Sequence, residues 1–167
     1  MRFSVTPRFI VIALIAVGAA LALSLSMGVV SASSAQNGQL HLVKECSQNL
    51  GGSGSFCTFT ASNLAQIPIG AQVIYAQAPI PLGGDDAFTG GYLDSNVVLF
   101  VETGNWAVGR CTLDGSTGVG VCTFSDGIGA FTGFEARVDV AFCPTCLPAG
   151  KGFTWDGTYR FRSQPNR

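Results

Sequence analysis

Beyond its first thirty-five residues this chain has no methionine, a single histidine, no Asn-x-Ser/Thr sequon and no basic run. Each absence removes a class of function. With His41 as the only imidazole, a nucleophilic triad would have to use a residue at the very start of the domain. No Gly-x-Ser-x-Gly elbow occurs to supply its serine. Without clustered Lys and Arg nothing neutralises a phosphate backbone, so nucleic acid is not an expected partner. A sustained helical period is also missing. Short β-branched and aromatic runs alternate instead with Gly, Asn, Asp and Ser clusters, the signature of an all-β chain.

The N-terminal segment reads as an export signal. Arg2 and Arg8 precede an apolar run from Phe9 to about Leu25, and the small residues Ser31-Ala32-Ser33-Ser34-Ala35 close it. A charged n-region, an h-region and a small-x-small site at Val30-Ser31-Ala32 make residues 1–35 a signal peptide and the protein secreted. The same run is long enough to span a bilayer if uncleaved, and only then is a membrane a partner. Residues 36–167 make one domain of ordinary size, able to bury a core. Setting aside Arg2 and Arg8 leaves seven Lys/Arg against ten Asp/Glu, a net charge near −3.

All six cysteines lie in that domain, an even number in an exported chain. Two segments repeat one pattern: a cysteine, ten residues rich in glycine, then Cys-Thr-Phe. Cys46 and Cys57 form one pair of ends, Cys111 and Cys122 the other, and each fits a disulfide across a β-hairpin. The latter places Leu113 opposite Gly120. Cys143-Pro144-Thr145-Cys146 is read as a small structural disulfide before the last strand. A redox Cys-x-x-Cys would normally open a helix, and a zinc site needs two more ligands. No metal and no cofactor is expected. Asp85, Asp86 and Asp94 lie in or beside a glycine-rich loop whose spacing matches no calcium site.

Eight strands are expected: Leu40–Glu45, Phe56–Thr60, Gln72–Ala78, Ser95–Glu102, Asn105–Leu113, Val119–Phe124, Phe134–Phe142 and Phe153–Phe161. The links carry Gly, Asn and Asp suited to tight turns. Mostly short links suggest an antiparallel up-and-down meander, and eight strands commonly close a barrel. Phe134, Ala136, Val138, Val140 and Phe142 share one face of their strand, against Glu135, Arg137 and Asp139. Strand Ser95–Glu102 is apolar on both sides, with Val97, Leu99 and Val101 facing in and Val98 and Phe100 facing out. An outer patch of that kind points to a homo-oligomer.

One charge sits oddly. Arg110 shares its strand face with Trp106, Val108 and Thr112, and a tight turn at Thr103-Gly104 would set Val97 and Leu99 beside it. If that face is the interior, Arg110 is a buried cation needing a carboxylate, with Asp94 or Glu102 near enough to serve. If it is the outer face, Arg110 is an ordinary surface residue. Arg110, Glu102 and Asp94 are the only candidates for a catalytic role, and the residues leave open whether there is catalysis.

The stretch from Gly109-Arg110-Cys111-Thr112-Leu113, then Thr123 through Asp126-Gly127-Ile128-Gly129-Ala130-Phe131 to Val138, resembles the late strands of allene oxide cyclase and dirigent proteins. There a Gly-Gly-Thr-Gly-x-Phe turn leads into a strand with small residues. The likeness covers about Ser95 to Phe161. It implies an eight-stranded calycin-like barrel, often trimeric, with an apolar cavity. On that reading a small apolar or aromatic ligand would meet Tyr75, Trp106, Arg110, Phe134, Trp155 and Tyr159. A cyclase- or dirigent-like enzyme steering a reactive intermediate is one alternative. A structural or surface-interaction protein with a packed barrel is the other.

Overall fold

Period-two alternation builds the strands seen in the computed structural model, which describes residues 36–46, 53–82, 90–147 and 151–163. The expected signal peptide and the Asp85-Asp86 loop lie outside the described residues. The strands are β1 (Asn37–Glu45), β2 (Phe56–Ser62), β3 (Gln72–Tyr75), β4 (Ile80–Pro81), β5 (Gly91–Glu102), β6 (Asn105–Asp114), β7 (Val119–Ile128), β8 (Phe134–Cys143) and β9 (Gly152–Phe161). A 3₁₀ turn, Gly129–Phe131, links β7 to β8.

Sequential antiparallel pairing runs through these strands, β1 returns to β9, and β3 pairs directly with β5. Eight strands therefore close into a barrel, as expected. The ninth, β4, adds to β5 from outside through Ile80↔Tyr92 and Pro81↔Gly91. The stretch expected to continue as a strand to Ala78 stops at Tyr75 for a local reason. Past that point side chains replace the ladder: Gln77 N–H donates to Ser95 Oγ at 3.0 Å, and Asn96 N–H donates to Gln77 Oε1 at 2.6 Å. These contacts satisfy the backbone while the chain leaves the barrel wall.

The inward face is apolar and closely filled. Trp155, fully buried, lies edge-on to Phe59 at 5.3 Å and tilted against Phe124 at 5.7 Å. At one end Phe131 meets Phe134 edge-on at 5.3 Å, and Phe134 meets Phe161 at 5.1 Å. Such offset and edge contacts suit the ring quadrupole. In β8 the alternation holds from Phe134 to Val140, but Phe142 is 47% exposed. It keeps the inward parity yet lies beyond the described core, tilted against Phe153 with ring centres 5.3 Å apart.

Three disulfides hold the strands: Cys46–Cys57, Cys111–Cys122 and Cys143–Cys146, the pairing that local hairpin closure predicts. Cys111 lies directly opposite Cys122, with Leu113 opposite Gly120. No described cysteine is free. Three intrachain bridges suit an oxidising compartment.

The β5–β6 hairpin departs from the simple register. Its turn holds Gly104 at φ 86°, a left-handed conformation that favours glycine. Glu102 pairs with Asn105, but the next pair is Phe100↔Trp106, so Val101 is an extra residue on β5. A bulge of one residue flips every later side chain relative to its neighbour strand. Asn96, not Val97, stands opposite Arg110, and Ala107 stands opposite Leu99.

Candidate functional site

Among the described residues, two places on the barrel combine polar chemistry with apolar surroundings. The first is an outer groove. Where the chain leaves the wall after β3, the outer surfaces of β3, β5, β6 and β7 border an open, shallow concavity of about 810 Å³. Its floor carries Ile74, Val98 and Val108, and Asn96, Arg110, Thr123 and Ser125 supply polar groups around it. Gly109 helps form the hollow. A Cβ there would lie 2.3 Å from the Thr123 carbonyl oxygen, so only glycine lets β7 approach so closely.

Arg110 is therefore on the outer face, with its side chain 61% exposed. Placing it beside Val97 and Leu99 assumes an unbroken hairpin, and the Val101 bulge removes that assumption. Its partner is the expected Asp94: Nε donates to Oδ1 at 2.8 Å and Nη2 to Oδ2 at 2.6 Å, a two-pronged fork. The guanidinium beside it holds the Asp94 carboxyl below the usual carboxylate range, and Asp94 in turn raises Arg110. Glu102 is not part of this pair; its carboxylate accepts from Asn105 Nδ2 at 2.7 Å beside the turn.

The second place is inside the barrel. Lys44 is 4% exposed, because on β1 it shares the inward parity of Leu40 and Leu42. Its Nζ lies 2.5 Å from Tyr75 Oη. It also lies 4.6 Å from the centre of the Trp155 ring, 5.2 Å from Tyr75 and 5.5 Å from Phe153. Three ring faces partly compensate a cation there, yet no ion pair to Lys44 is found among the described residues. Burial pushes the amine down to about 7 and raises the Tyr75 phenol, since desolvation disfavours each charged form. Beside the pair lies a cavity of about 10 Å³ bounded by Cys46, Cys57, Pro79, Leu93, Leu113 and Phe153. That is room for about one water molecule.

The six residues expected to line one ligand site are thus divided. Tyr75, Phe134 and Trp155 are buried inside. Trp106 and Arg110 point outward, Trp106 opposite Phe100. Tyr159 is half-buried at the end of the barrel away from Lys44, its hydroxyl accepting from Gln36 Nε2 at 3.2 Å. His41 is a surface residue of β1, its Nδ1 2.5 Å from Asp156 Oδ1. Because the barrel is closed, β1 is paired on both sides, with β2 and with β9. Among the described residues no group of three or more His, Cys, Asp or Glu gathers to hold a metal.

Lys44 went unread in the sequence, although the signal was there: Leu40, Leu42, Lys44 and Cys46 alternate with His41, Val43 and Glu45. A lysine ending an apolar parity resembles the frayed end of a strand. It becomes a buried amine only because β3, β5 and β9 converge on it. Searches of known protein families, curated proteins and solved structures found no match to this chain.

Proposed function

We propose that this is a secreted, disulfide-clamped barrel that binds a small apolar or aromatic ligand in the groove on its outer face, not in its interior. The observation that carries the reading is the groove itself. A concavity of about 810 Å³ with Ile74, Val98 and Val108 on its floor has the size and mixed lining of small-molecule sites. The cavity beside Lys44 holds about 10 Å³, too little for the same ligand. Arg110 reaches the groove already neutralised by Asp94, which favours an uncharged ligand with hydrogen-bonding groups over an anion. The likeness to allene oxide cyclase and dirigent proteins supports a barrel that handles small apolar compounds. Among the described residues lining the groove the one charged side chain is Arg110, already paired, so binding is preferred to a cyclase- or dirigent-like reaction.

Titration with the neutral fluorophore N-phenyl-1-naphthylamine tests this. Val108→Lys puts a charge on the floor and is expected to weaken binding at least about tenfold, the equivalent of 1.4 kcal/mol, with the thermal midpoint retained. Equal binding by both proteins would remove the groove as the site.

A second reading rests on a different observation. The apolar outer row continues past the groove through Phe100 and Trp106, which face each other across β5 and β6. This row favours a homo-oligomer, a trimer on the family likeness, built on the same face.

A further inference from the structure

We infer that Lys44 is a reactive amine that condenses with a one-carbon aldehyde, with Tyr75 as its proton donor and acceptor. This rests on the interior pair and not on ligand binding in the outer groove, although Tyr75 borders both spaces. The geometry supplies three conditions. Lys44 Nζ is held among the rings of Trp155, Tyr75 and Phe153 with no ion pair among the described residues, so the ring faces and the phenol oxygen, not a carboxylate, are what stabilise its charged form. The Tyr75 hydroxyl lies 2.5 Å from that nitrogen, within reach of any oxygen bonded to a carbon attached there. The adjoining cavity holds about 10 Å³ and is bounded partly by half-exposed Pro79, so only a very small electrophile can be seated without displacing the wall. Burial adds to this by holding the amine down at about 7, which leaves a large neutral fraction at neutral pH.

The step balances without an oxidant or reductant. The Nζ lone pair forms the bond to the carbonyl carbon as the C=O π pair moves to oxygen. That oxygen takes the Tyr75 phenolic proton, and the phenolate recovers a proton from nitrogen. The nitrogen lone pair then expels the hydroxyl as water, with the Tyr75 proton again supplied to the leaving oxygen. Loss of the remaining N–H proton to the phenolate leaves a neutral imine and one water. Since Tyr75 is raised above the ordinary phenol value, it stays protonated between turns of this cycle.

The chain carries its own control, because Lys151 is its only other lysine and is exposed. The oxidised, full-length folded protein is treated with formaldehyde and cyanoborohydride at pH 7, and N-methylation of each lysine is followed by peptide mass mapping. Lys44 is expected to react at least about tenfold faster than Lys151, because burial leaves a large neutral fraction of the Lys44 amine at pH 7. In urea, with disulfides intact, the two rates should converge. Tyr75→Phe should slow the Lys44 reaction about a hundredfold, the lower range for a positioned acid–base group, and leave Lys151 unchanged. Modification of Lys151 with Lys44 untouched in the folded protein would overturn the proposal, and so would a Lys44 rate no faster than that of Lys151. An unaltered Lys44 rate in Tyr75→Phe would overturn the role of the phenol.

Discussion

Lys44 Nζ and Tyr75 Oη meet at 2.5 Å inside the barrel, joining β1 to β3 beside the Cys46–Cys57 bridge. The two groups are desolvated in opposite senses, and their effects on stability can be signed. Lys44 is lowered in the fold to about 7, so between there and the ordinary lysine value the unfolded chain binds more protons. Stability must rise with pH across that window. Tyr75 is raised, so its contribution is complete below the ordinary tyrosine value near 10 and declines above it. The titratable group facing Lys44 from the residues around the cavity is Tyr75 itself.

Denaturant unfolding is therefore expected to show stability climbing from about pH 7 to about pH 10, by a few kcal/mol, and turning down above as the Tyr75 contribution is lost. A flat profile between pH 7 and 10 would mean that Lys44 keeps its proton in the fold.

Replacing the amine should help the fold. Lys44→Met keeps the stem among the rings and removes the desolvated group. It is expected to stabilise the protein at pH 6 by about 1–3 kcal/mol and to abolish most of the rise between pH 7 and 10. Measured loss of stability at pH 6 would mean that the rings and phenol more than compensate the charge.

The hairpin bridge at Cys111–Cys122 closes eleven residues of separation across directly paired positions. Cys111→Ala with Cys122→Ala should cost roughly 3 kcal/mol in chemical denaturation. Non-reducing peptide mapping should recover the three local pairs, and a Cys46–Cys111 peptide would contradict the register.

Arg110→Met should leave the thermal midpoint unchanged, because the ion pair is exposed and surface pairs contribute little. It should also leave the interior reaction of Lys44 untouched. A large loss of stability would place more of the barrel's cohesion on the Arg110–Asp94 fork than its exposure allows.

Self-association through the outer row is checked by sedimentation at tens of micromolar. Val98 and Phe100 are half-buried in the isolated chain and face Val108 and Trp106. Phe100→Lys should dissociate the assembly, and a monomer for the native chain would leave the face to a ligand.

Much of this architecture could be read locally. The alternation in β8 and β9, the turn residues between strands and the equal Cys spacings each act over a few residues. Period-two patterning and short-range closure depend little on the rest of the chain. Strand identities, the disulfide pairs and the barrel class were therefore legible. Tertiary structure decided which way the cations point. One extra residue at Val101 reverses the parity carried from β5 to β6, and nothing in the composition of that strand marks it. Arg110 is thereby sent to solvent and the expected lining is split between two faces. Lys44 is enclosed because β3 closes the barrel on β5, bringing Tyr75 to it across a separation of thirty-one residues. Pattern decides which residues share a strand face. Closure and bulges decide what that face meets, because both depend on pairing between distant segments.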